Sequence, residues 1–387
     1  MKGNTGSSVA ADPRAAGREA ADKAKRGLAD IKAAFVYSSA AYNQGALLRG
    51  IAEGLPGVPV IGNTSFTGVI TPEGFITGKN GFVGVMALGG NDVTVGVAGK
   101  PKSCDARATG REVAREALKK ARRSSAPDYF YMAASPGEEE FYLKGITDVI
   151  GRVPCFGGSA ADNFIAGEWK LFAEQQVFAN GVAVAFFYAD KPITNMYTGA
   201  YRETGDVGII TKVRDNRTLA EIDGVPALMK YAEWAEVDPE TLKGTKLLAH
   251  TITSPLGIKD RLGDLIAIRH PMSGNNDYSM TIGANVAERT AVIRMQGTTE
   301  ELIVSASKTL DTLKTRMRAA PAAFHLVHCG GRRAGIGGRI EEVVMGVRKA
   351  AGGVPFIMEF TFGEYGFVDD GNNTTGGLML SYTGFAQ

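Results

Sequence analysis

Small polar side chains that could bind a ligand follow three apolar strands, each of which begins with the dipeptide Val-Pro. The strand segments read VPVIGNTS from residue 58, VPCFGGSAADN from residue 153 and VPFIMEFTFGEYG from residue 354. Hydroxyl, amide and carboxylate groups can bind a small polar molecule, and the nearby glycines let the backbone approach it closely. A further segment, AFHLVHCGGR from residue 323, adds a thiol and a guanidinium. We therefore predict a ligand site formed by Asn63, Thr64, Ser65, Gly157, Gly158, Ser159, Asp162, Asn163, Cys329, Arg332, Glu364 and Tyr365.

The same residue types also have a purely structural use. Ser, Asn and Asp cap helices and close turns, and for any single residue of the set this is the commoner role. Positions that follow the neighbouring strands carry the further candidates Ser38, Ser39, Tyr42, Asn43, Ser135 and Glu138, and Thr361 follows the third Val-Pro strand. Because one position of the architecture carries polar groups three times, we expect the set to share a binding pocket.

A nucleophilic role for Cys329 is the enzymatic alternative. Its neighbour His328 points to the opposite face of the strand. His325 lies on the same face, but about 13 Å away at the rise of an extended strand. A general base must lie within hydrogen-bonding distance of the thiol, so we favour a buried or ligand-contacting cysteine and predict that the protein is not an enzyme. The sequence contains no His-x3-His or Cys-x2-Cys pair that would indicate a metal site.

Two sequence markers recur at nearly one spacing, and they define the elements that must position these side chains. The helical segments DPRAAGREAADKAKRGL and DARATGREVAREALKKA begin at residues 12 and 105, and the first two Val-Pro strands begin at residues 58 and 153. These spacings predict a duplicated unit of about 95 residues. Its order is a polar helix, an apolar strand, a second helix, the Val-Pro strand and a hairpin. The same order recurs over residues 300–385, and residues 225–295 are the candidate for a degenerate fourth copy.

Strand–helix–strand units with short connections predict parallel strand pairs with right-handed crossovers, to which the hairpins add antiparallel strands. We therefore predict an α/β (mixed α+β) fold of two related halves, in which helices cover mixed sheets. Ligands of such sheets bind beyond the carboxyl ends of the parallel strands. The predicted site residues lie at these ends.

The composition is that of an ordinary globular protein. Of the 387 residues, 44% are hydrophobic and 22% are charged, and a net charge of +2 gives no strong field for nucleic acid or an anionic membrane. Three cysteines without a Cys-x2-Cys pair fit a reducing compartment. The N-terminus lacks the apolar core of a signal peptide, and no run of about 18 apolar residues is present. These features predict a cytoplasmic protein.

Several of the quoted motifs, in this order, resemble those of the FIST family. They are VPVIGNTSFTGVITPEGF, VPCFGGSAADN, IDGVPALMKY, HCGGR and FTFGEYG, and the resemblance covers about residues 30–387. It implies a FIST N-type domain over residues 31–222 and a FIST C-type domain over 223–387, and we predict that residues 1–30 form an N-terminal helix leading into the first repeat. The family's motifs map onto Gly157, Gly158, Ser159, Ala160, Asp162, Cys329, Gly331, Arg332, Gly363 and Glu364. Many relatives have Cys where this chain has Asn63, so a thiol role is not expected there.

The resemblance also implies a function. FIST proteins are sensory modules for small ligands, with amino acids and similar metabolites proposed, so the chain is expected to signal through a partner. A histidine kinase or a cyclic-dinucleotide enzyme is the expected partner class, and a homodimer is left open. Neither nucleic acid nor a membrane is expected to bind.

A haem-binding, nitric-oxide-sensing subgroup is the more specific alternative that the resemblance offers. The segment DRLGDLIAIRHP, residues 260–271, is similar to the Arg-His-Pro context of that subgroup. His270 would then be the axial ligand of a b-type haem, and Arg269 would pair with a propionate. The other interpretations are a hydrogen-bonded histidine at a strand end, and a metabolite sensor without haem. No Cys-x2-Cys-His motif is present, which excludes covalent haem attachment.

Overall fold

The computed structural model describes residues 1–259, 265–367 and 373–387, and their strands form four β-sheets. Three sheets have six strands each and share one plan. The predicted mixed α+β fold, in which helices cover mixed sheets, is confirmed. No helix of this described part of the chain is long and apolar enough to cross a membrane.

The first unit begins with an edge strand that we did not predict. Its elements are β1 (Lys2–Ser8), α1 (Pro13–Ala24), β2 (Ile31–Ser38), α2 (Gln44–Gly54), β3 (Val60–Thr64), β4 (Val69–Thr71), β5 (Gly74–Ile76) and β6 (Val83–Gly89). Strands β2 and β3 are parallel, and β6 lies antiparallel to both β2 and β1. Segment 1–30, which we predicted as a helix, therefore contains a strand as well as α1, whose first turn the Asp12 side chain caps.

The second unit repeats this plan. Its elements are β7 (Val93–Pro101), α3 (Ala106–Ala121), β8 (Tyr129–Ala134), α4 (Glu139–Ile150), β9 (Cys155–Ser159), β10 (Leu171–Ala173), β11 (Gln176–Phe178) and β12 (Gly181–Ala189). Strands β8 and β9 are parallel, and β12 pairs antiparallel with β8 and β7. Asp105 caps α3 as Asp12 caps α1, which accounts for the repeated aspartate of the two helical segments.

An inserted sheet interrupts the third unit after its first strand, β13 (Ile193–Thr198). The insertion, residues 199–298, consists of β14 (Arg202–Arg214), β15 (Thr218–Ile222), β16 (Val225–Pro226), α5 (Ala227–Ala235), a 3₁₀ helix (Pro239–Leu242), α6 (Lys246–Thr251), β17 (Leu256–Lys259), β18 (Ile266–Arg269), β19 (Pro271–Gly274), β20 (Met280–Ile282) and β21 (Ala291–Gln296). Every strand ladder of its described residues is antiparallel. The fourth copy that we predicted there is therefore wrong, because an apolar strand beside a helix does not by itself specify a parallel pair.

The third unit resumes with α7 (Thr299–Arg316). It continues through β22 (Pro321–Cys329), α8 (Gly330–Ile336), a 3₁₀ turn (Gly337–Arg339), α9 (Ile340–Ala351), β23 (Phe356–Thr361), β24 (Glu364–Phe367), β25 (Asn373–Gly376) and β26 (Leu380–Ala386). Strands β22 and β23 are parallel, and β26 pairs antiparallel with β22 and β13. The unit thus starts before residue 222, and the domain boundary predicted there falls inside the insertion, at the end of β15.

The three units exchange their hairpins in a ring. Hairpin β4–β5 of the first unit joins β23 of the third, β24–β25 of the third joins β9 of the second, and β10–β11 of the second joins β3 of the first. Each exchange covers a strand edge that would otherwise be open to pairing with another chain. The structure thereby refines the predicted arrangement in two related halves to three interlocked units.

The central strands of the three units meet around a common axis. Phe35, Tyr131 and His325 occupy equivalent positions on β2, β8 and β22, as their pairing with the Val-Pro strands shows. Their ring centroids are 5.1, 4.9 and 5.4 Å apart. One apolar core surrounds these rings and includes residues of all three units, so the units form a single folded body.

Paired glycines let the two helices of a unit touch. A Cβ atom on Gly50 of α2 would lie 1.9 Å from the carbonyl oxygen of Arg14 in α1. Gly145 of α4 approaches Arg107 of α3 in the same way, at 2.0 Å. Glycine is required at both positions because the contact is with main-chain atoms, which cannot move away by rotating as a side chain can.

Replacing Gly50 with alanine is therefore expected to lower the free energy of unfolding by about 1–3 kcal/mol through overpacking. The control is Gly45→Ala in the same helix, where the nearest atom to an added Cβ would be Asn43 Oδ1, at 3.5 Å. Alanine is the better helix former, so this control should be neutral or raise stability by up to about 1 kcal/mol. Chemical denaturation of both variants checks the pair, and equal effects would contradict the close helix contact.

Candidate functional site

A buried polar network lies beside the axis where the three units meet. The Tyr37 hydroxyl contacts His325 Nε2 and lies 3.2 Å from the Tyr131 hydroxyl. Tyr131 donates to Asn63 Oδ1 at 3.0 Å, and Asn63 Nδ2 donates to Glu359 Oε2 at 2.9 Å. All five side chains are fully buried. We predicted Asn63 as a ligand residue. Its side-chain amide instead hydrogen-bonds to residues of the other two units and so joins the units.

The acid and the base of this network are both neutral near pH 7. Burial raises the pKa of Glu359 to about 8, and burial lowers the pKa of His325 to about 3. Ionising either group would place a charge in a core from which water is excluded. The network is therefore suited to holding the units in register.

Strand β9 meets the exchanged hairpin of the third unit at the predicted site. Gly157 and Gly158 of β9 pair with Tyr365 and Glu364 of β24. A Cβ on Gly158 would lie 2.6 Å from Thr361 Cγ2, and one on Gly157 would lie 2.0 Å from a main-chain oxygen of β8. These two glycines serve the close packing of strands.

The polar side chains around this junction bond to one another. Ser159 Oγ donates to Glu139 Oε1 at 2.9 Å and lies 2.6 Å from the Tyr365 hydroxyl. Glu364 accepts from Thr361 Oγ1 at 2.8 Å, and its other oxygen accepts a main-chain N–H just before β26 at 2.9 Å. Burial raises the pKa of Glu364 to about 8.

Cys329 and Arg332 lie next to this junction, at the start of α8. The Cys329 side chain caps this helix, because its Sγ accepts the N–H of Gly331 at 3.3 Å. The Arg332 guanidinium is fully buried, and its Nη2 donates to Leu302 O at 3.0 Å and to Ser305 Oγ at 2.5 Å. Both groups therefore already have protein partners.

The remaining predicted residues build loops. Thr64 Oγ1 accepts a main-chain N–H from Lys170, and Ser65 Oγ donates to a carbonyl of its own turn at 2.7 Å. The buried Asp162 carboxylate accepts three main-chain N–H groups of the loop that follows β9. Asn163 accepts the N–H of Thr67 at 3.0 Å. These are the capping and turn-closing roles that Ser, Asn and Asp commonly have.

The structure thus brings several predicted residues together but leaves little room beside them. Ser159, Arg332, Glu364 and Tyr365 have 0% relative exposure, so no water-sized space touches them. A ligand could reach them only if the junction opened. Ligand binding by this set stays a prediction.

An open cleft of about 400 Å³ lies beside α4, where three separate parts of the chain meet. One wall comes from α3 and α4, one from strand β25 of the exchanged hairpin, and one from the insertion. The lining residues are Arg107, Glu140, Leu143, Lys144, Thr147, Asp148, Arg152, Arg269, Asn285, Asn373, Thr374 and Thr375. The cleft runs along α4, from Glu140 near its N-terminus to Arg152 just beyond its C-terminus.

A buried ion cluster forms the base of the cleft. Arg217 Nη2 of the insertion lies 2.6 Å from Glu139 Oε2 and 2.7 Å from Glu140 Oε2. Glu140 Oε1 also accepts the N–H of Asn285 at 2.8 Å and the Thr375 hydroxyl at 3.0 Å. Burial raises the pKa of Glu139, whereas Arg217 and the hydrogen bonds outweigh burial and lower the pKa of Glu140. The cluster ties the insertion to the second unit.

Our sequence analysis missed Glu139, Glu140 and Arg217. The run Glu138–Glu140 at the start of a helix, directly after a strand, was a signal that we used only for Glu138. Arg217 carries no such signal, because it reaches Glu139 from the turn between β14 and β15, and the two residues are 78 positions apart in the chain.

Two family models match the chain and together cover most of it. The FIST N domain matches residues 32–225, and the FIST C domain matches residues 227–366. The chain belongs to the FIST family. FIST domains are associated with sensing of small ligands in signalling. No curated protein matches this FIST chain.

The solved structures that were found for this FIST protein are only distantly similar to it. PurLQS from Thermotoga maritima has 10% identity over 99% of this chain and 72% of its own, with a TM-score of 0.24. Phosphoribosylformylglycinamidine synthase II from the same organism has 11% identity over 99% and 71%, with a TM-score of 0.21. At these scores, neither likeness supports an argument about fold or function.

The surroundings of His270 do not fit a haem in this FIST protein. The buried ring places Nε2 3.4 Å from Leu248 O, and its Cε1 lies 3.3 Å from the position that a Cβ on Gly331 would take. Burial lowers the pKa of His270 to about 4. Arg269 donates to the main-chain oxygens of Asn285 and Thr375, at 2.9 and 3.0 Å. Residues 260–264 of the quoted haem segment lie outside the described residues.

Haem binding through His270 would therefore require this packing to open, and it stays a prediction. The absorption spectrum of the haem-titrated protein, compared with that of His270→Ala, tests it. A Soret band that only the unchanged protein shows would support the axial role of His270.

The surroundings of Cys329 do not activate its thiol. Burial, followed by the nearby Glu364 carboxyl, raises the pKa of the thiol above its ordinary value. His328 directs its Nδ1 to a main-chain oxygen at 3.0 Å. This imidazole therefore does not act as a base for the thiol. A protonated, buried thiol is a poor nucleophile.

Proposed function

We propose that this FIST protein is a small-ligand sensor whose ligand binds in the cleft beside α4. The observation that carries the proposal is that the second unit, the exchanged hairpin and the insertion all line one cleft above the ion cluster. A ligand that contacts all three parts can change how firmly the insertion is held. Binding would then shift the population of two arrangements of the insertion, which a partner could read.

The proposal is that the protein binds its ligand and releases it unchanged, without turnover. The raised pKa of the Cys329 thiol supports it, and so does the orientation of His328, whose Nδ1 faces a main-chain oxygen. The alternative is an enzyme with Cys329 as nucleophile, and the test between them is whether a bound ligand is recovered unchanged.

The partner is proposed only by class. The family resemblance favours a histidine kinase or a cyclic-dinucleotide enzyme in the cytoplasm, and a homodimer is compatible with this arrangement. Amino acids and similar small metabolites are the first ligands to try, because the cleft of about 400 Å³ is of the size that such molecules fill.

Blocking the cleft is expected to abolish ligand binding. Thr374 lines the cleft from β25, so Thr374→Trp should fill it. The control is Thr194→Trp on the edge strand β13, which is away from the cleft. A metabolite panel would be screened by thermal shift and confirmed by calorimetry with all three proteins.

A ligand that binds the unchanged protein and the Thr194 variant, but not the Thr374 variant, supports the cleft. Equal binding by both variants would move the ligand site elsewhere and end the proposal. Conversion of the ligand during the titration would favour the enzymatic alternative.

A further inference from the structure

We infer that the ligand of the cleft beside α4 is a small anion, with a carboxylate or phosphate group held by Arg269, Lys144 and Arg152. The inference rests on the proposed function and adds the chemical class of the ligand. Among the described residues, the lining contains four cationic side chains, Arg107, Lys144, Arg152 and Arg269, against the two carboxylates Glu140 and Asp148. The charge of the cleft therefore favours a negative guest.

The carboxylate Glu140 already has its partners. One oxygen accepts from Asn285 and Thr375, and the other accepts from Arg217 at 2.7 Å. An incoming ammonium group would have to compete with a guanidinium that is already in place. A cationic ligand therefore gains little from Glu140.

Asp148 is held by two arginine side chains. Arg107 holds both of its oxygens, at 2.8 and 2.7 Å, and Arg111 Nη1 adds a third bond at 3.0 Å. The two guanidinium groups lower the pKa of Asp148 to about 2. This corner of the cleft thus has a local excess of positive charge.

Lys144 and Arg152 are not paired with a carboxylate of the described residues. Both are exposed, and neither forms an ion pair with any residue that the structure describes. Lys144 Nζ lies over the Phe141 ring at 5.5 Å, a contact that leaves its N–H donors free. Their donors can bind a guest without breaking an existing ion pair.

Arg269 provides a donor from the buried side of the cleft. Its Nε donates to Asn285 O at 2.9 Å, and its Nη1 donates to Thr375 O at 3.0 Å. Its Nη2 bonds to none of the described residues, although the residue lines the cleft. Burial lowers the pKa of Arg269, and a bound anion would relieve that cost.

The test measures binding of charged probes by calorimetry at low ionic strength. The anions are succinate, L-aspartate and inorganic phosphate, the neutral zwitterions are L-serine and L-leucine, and the cations are L-arginine and putrescine. Comparison of succinate with phosphate separates the two anion types. At least one anion is expected to bind, more tightly than every neutral or cationic probe, and more weakly as salt is added.

Charge removal at the cleft is expected to raise the Kd of that anion at least tenfold. The variant is Lys144→Gln with Arg152→Gln, and the control is Arg115→Gln with Lys119→Gln, which removes the same charge from the exposed face of α3. Arg269→Lys keeps the charge but loses the two-pronged donor, so it should also weaken binding. The control should change the Kd less than twofold.

Four results would overturn the inference. Equal weakening by the control would indicate a general charge effect, and tighter binding of a neutral or cationic probe that Thr374→Trp abolishes would keep the sensor cleft but reject its anion. If no probe binds, or if Thr374→Trp leaves anion binding unchanged, both the cleft and its anion are rejected.

Discussion

Replacing Arg217 with alanine is expected to lower the free energy of unfolding by about 3–5 kcal/mol, because it leaves buried carboxylates without their cation. The Arg217 side chain is 18% exposed, and its partners Glu139 and Glu140 are 4% and 16% exposed. Glu139 gains a proton easily, since burial already raises its pKa. Glu140 would lose the interaction that keeps its pKa low.

Arg214 is the matched control for this variant. It lies at the end of β14 and pairs with Asp277 at 2.6 Å, but the two side chains are 48% and 52% exposed. Water and salt screen such a pair, so Arg214→Ala should cost at most about 1 kcal/mol. Urea denaturation of both variants measures the difference.

A second variant distinguishes an unpaired charge from lost packing. Arg217→Met with Glu139→Gln and Glu140→Gln removes all three charges and should recover much of the lost stability. If Arg217→Ala proves as mild as Arg214→Ala, the ion cluster does not hold the insertion, and the proposed sensing route loses its physical basis.

The free energy of unfolding is expected to fall as the pH rises from about 6.5 to 8. Glu359 and Glu364 each have a pKa of about 8 in the folded protein, against the usual 4.5. The folded state therefore binds more protons than the unfolded chain in this range, and stability falls as pH increases. Each glutamate contributes a slope of up to about 1.4 kcal/mol per pH unit.

The histidines set the lower limit of this window. Burial lowers the pKa of His270 to about 4 and that of His325 to about 3, and it also lowers the pKa of His328. Each folded-state pKa is below the unfolded one, so each histidine adds stability that is present above pH 6.5 and is lost as pH falls. Below 6.5 the two effects oppose each other, whereas above 6.5 the glutamates act alone among these five groups.

Glu359→Gln with Glu364→Gln should flatten this pH dependence. Glutamine keeps the shape of the protonated acid and cannot ionise. Glu112→Gln, at an exposed position of α3, is the control and should keep the slope of the unchanged protein. Denaturation curves at pH 6.5, 7.25 and 8 test the prediction, which a flat profile of the unchanged protein would contradict.

The sequence by itself determined the repeated unit and its parallel strands. Asp12 and Asp105 mark equivalent helix starts, and the Val-Pro strands begin the second member of each parallel pair. These features are local: a cap, a helical period and an apolar run each act within a few residues of chain. The family motifs lie on the same elements, and the FIST family was therefore also within reach of the sequence.

The exchange of hairpins and the site were decided only by the tertiary structure. Ile70 of β4 pairs with Met358 of β23, and Glu140 finds Thr375 of β25; neither contact leaves a periodic signal in the chain. Ser159 shows why polar residues after strands misled us about access. The sequence does not distinguish a hydroxyl that hydrogen-bonds to a buried carboxyl from a hydroxyl that binds a ligand. Only the packing around Ser159 decides which of the two partners it has.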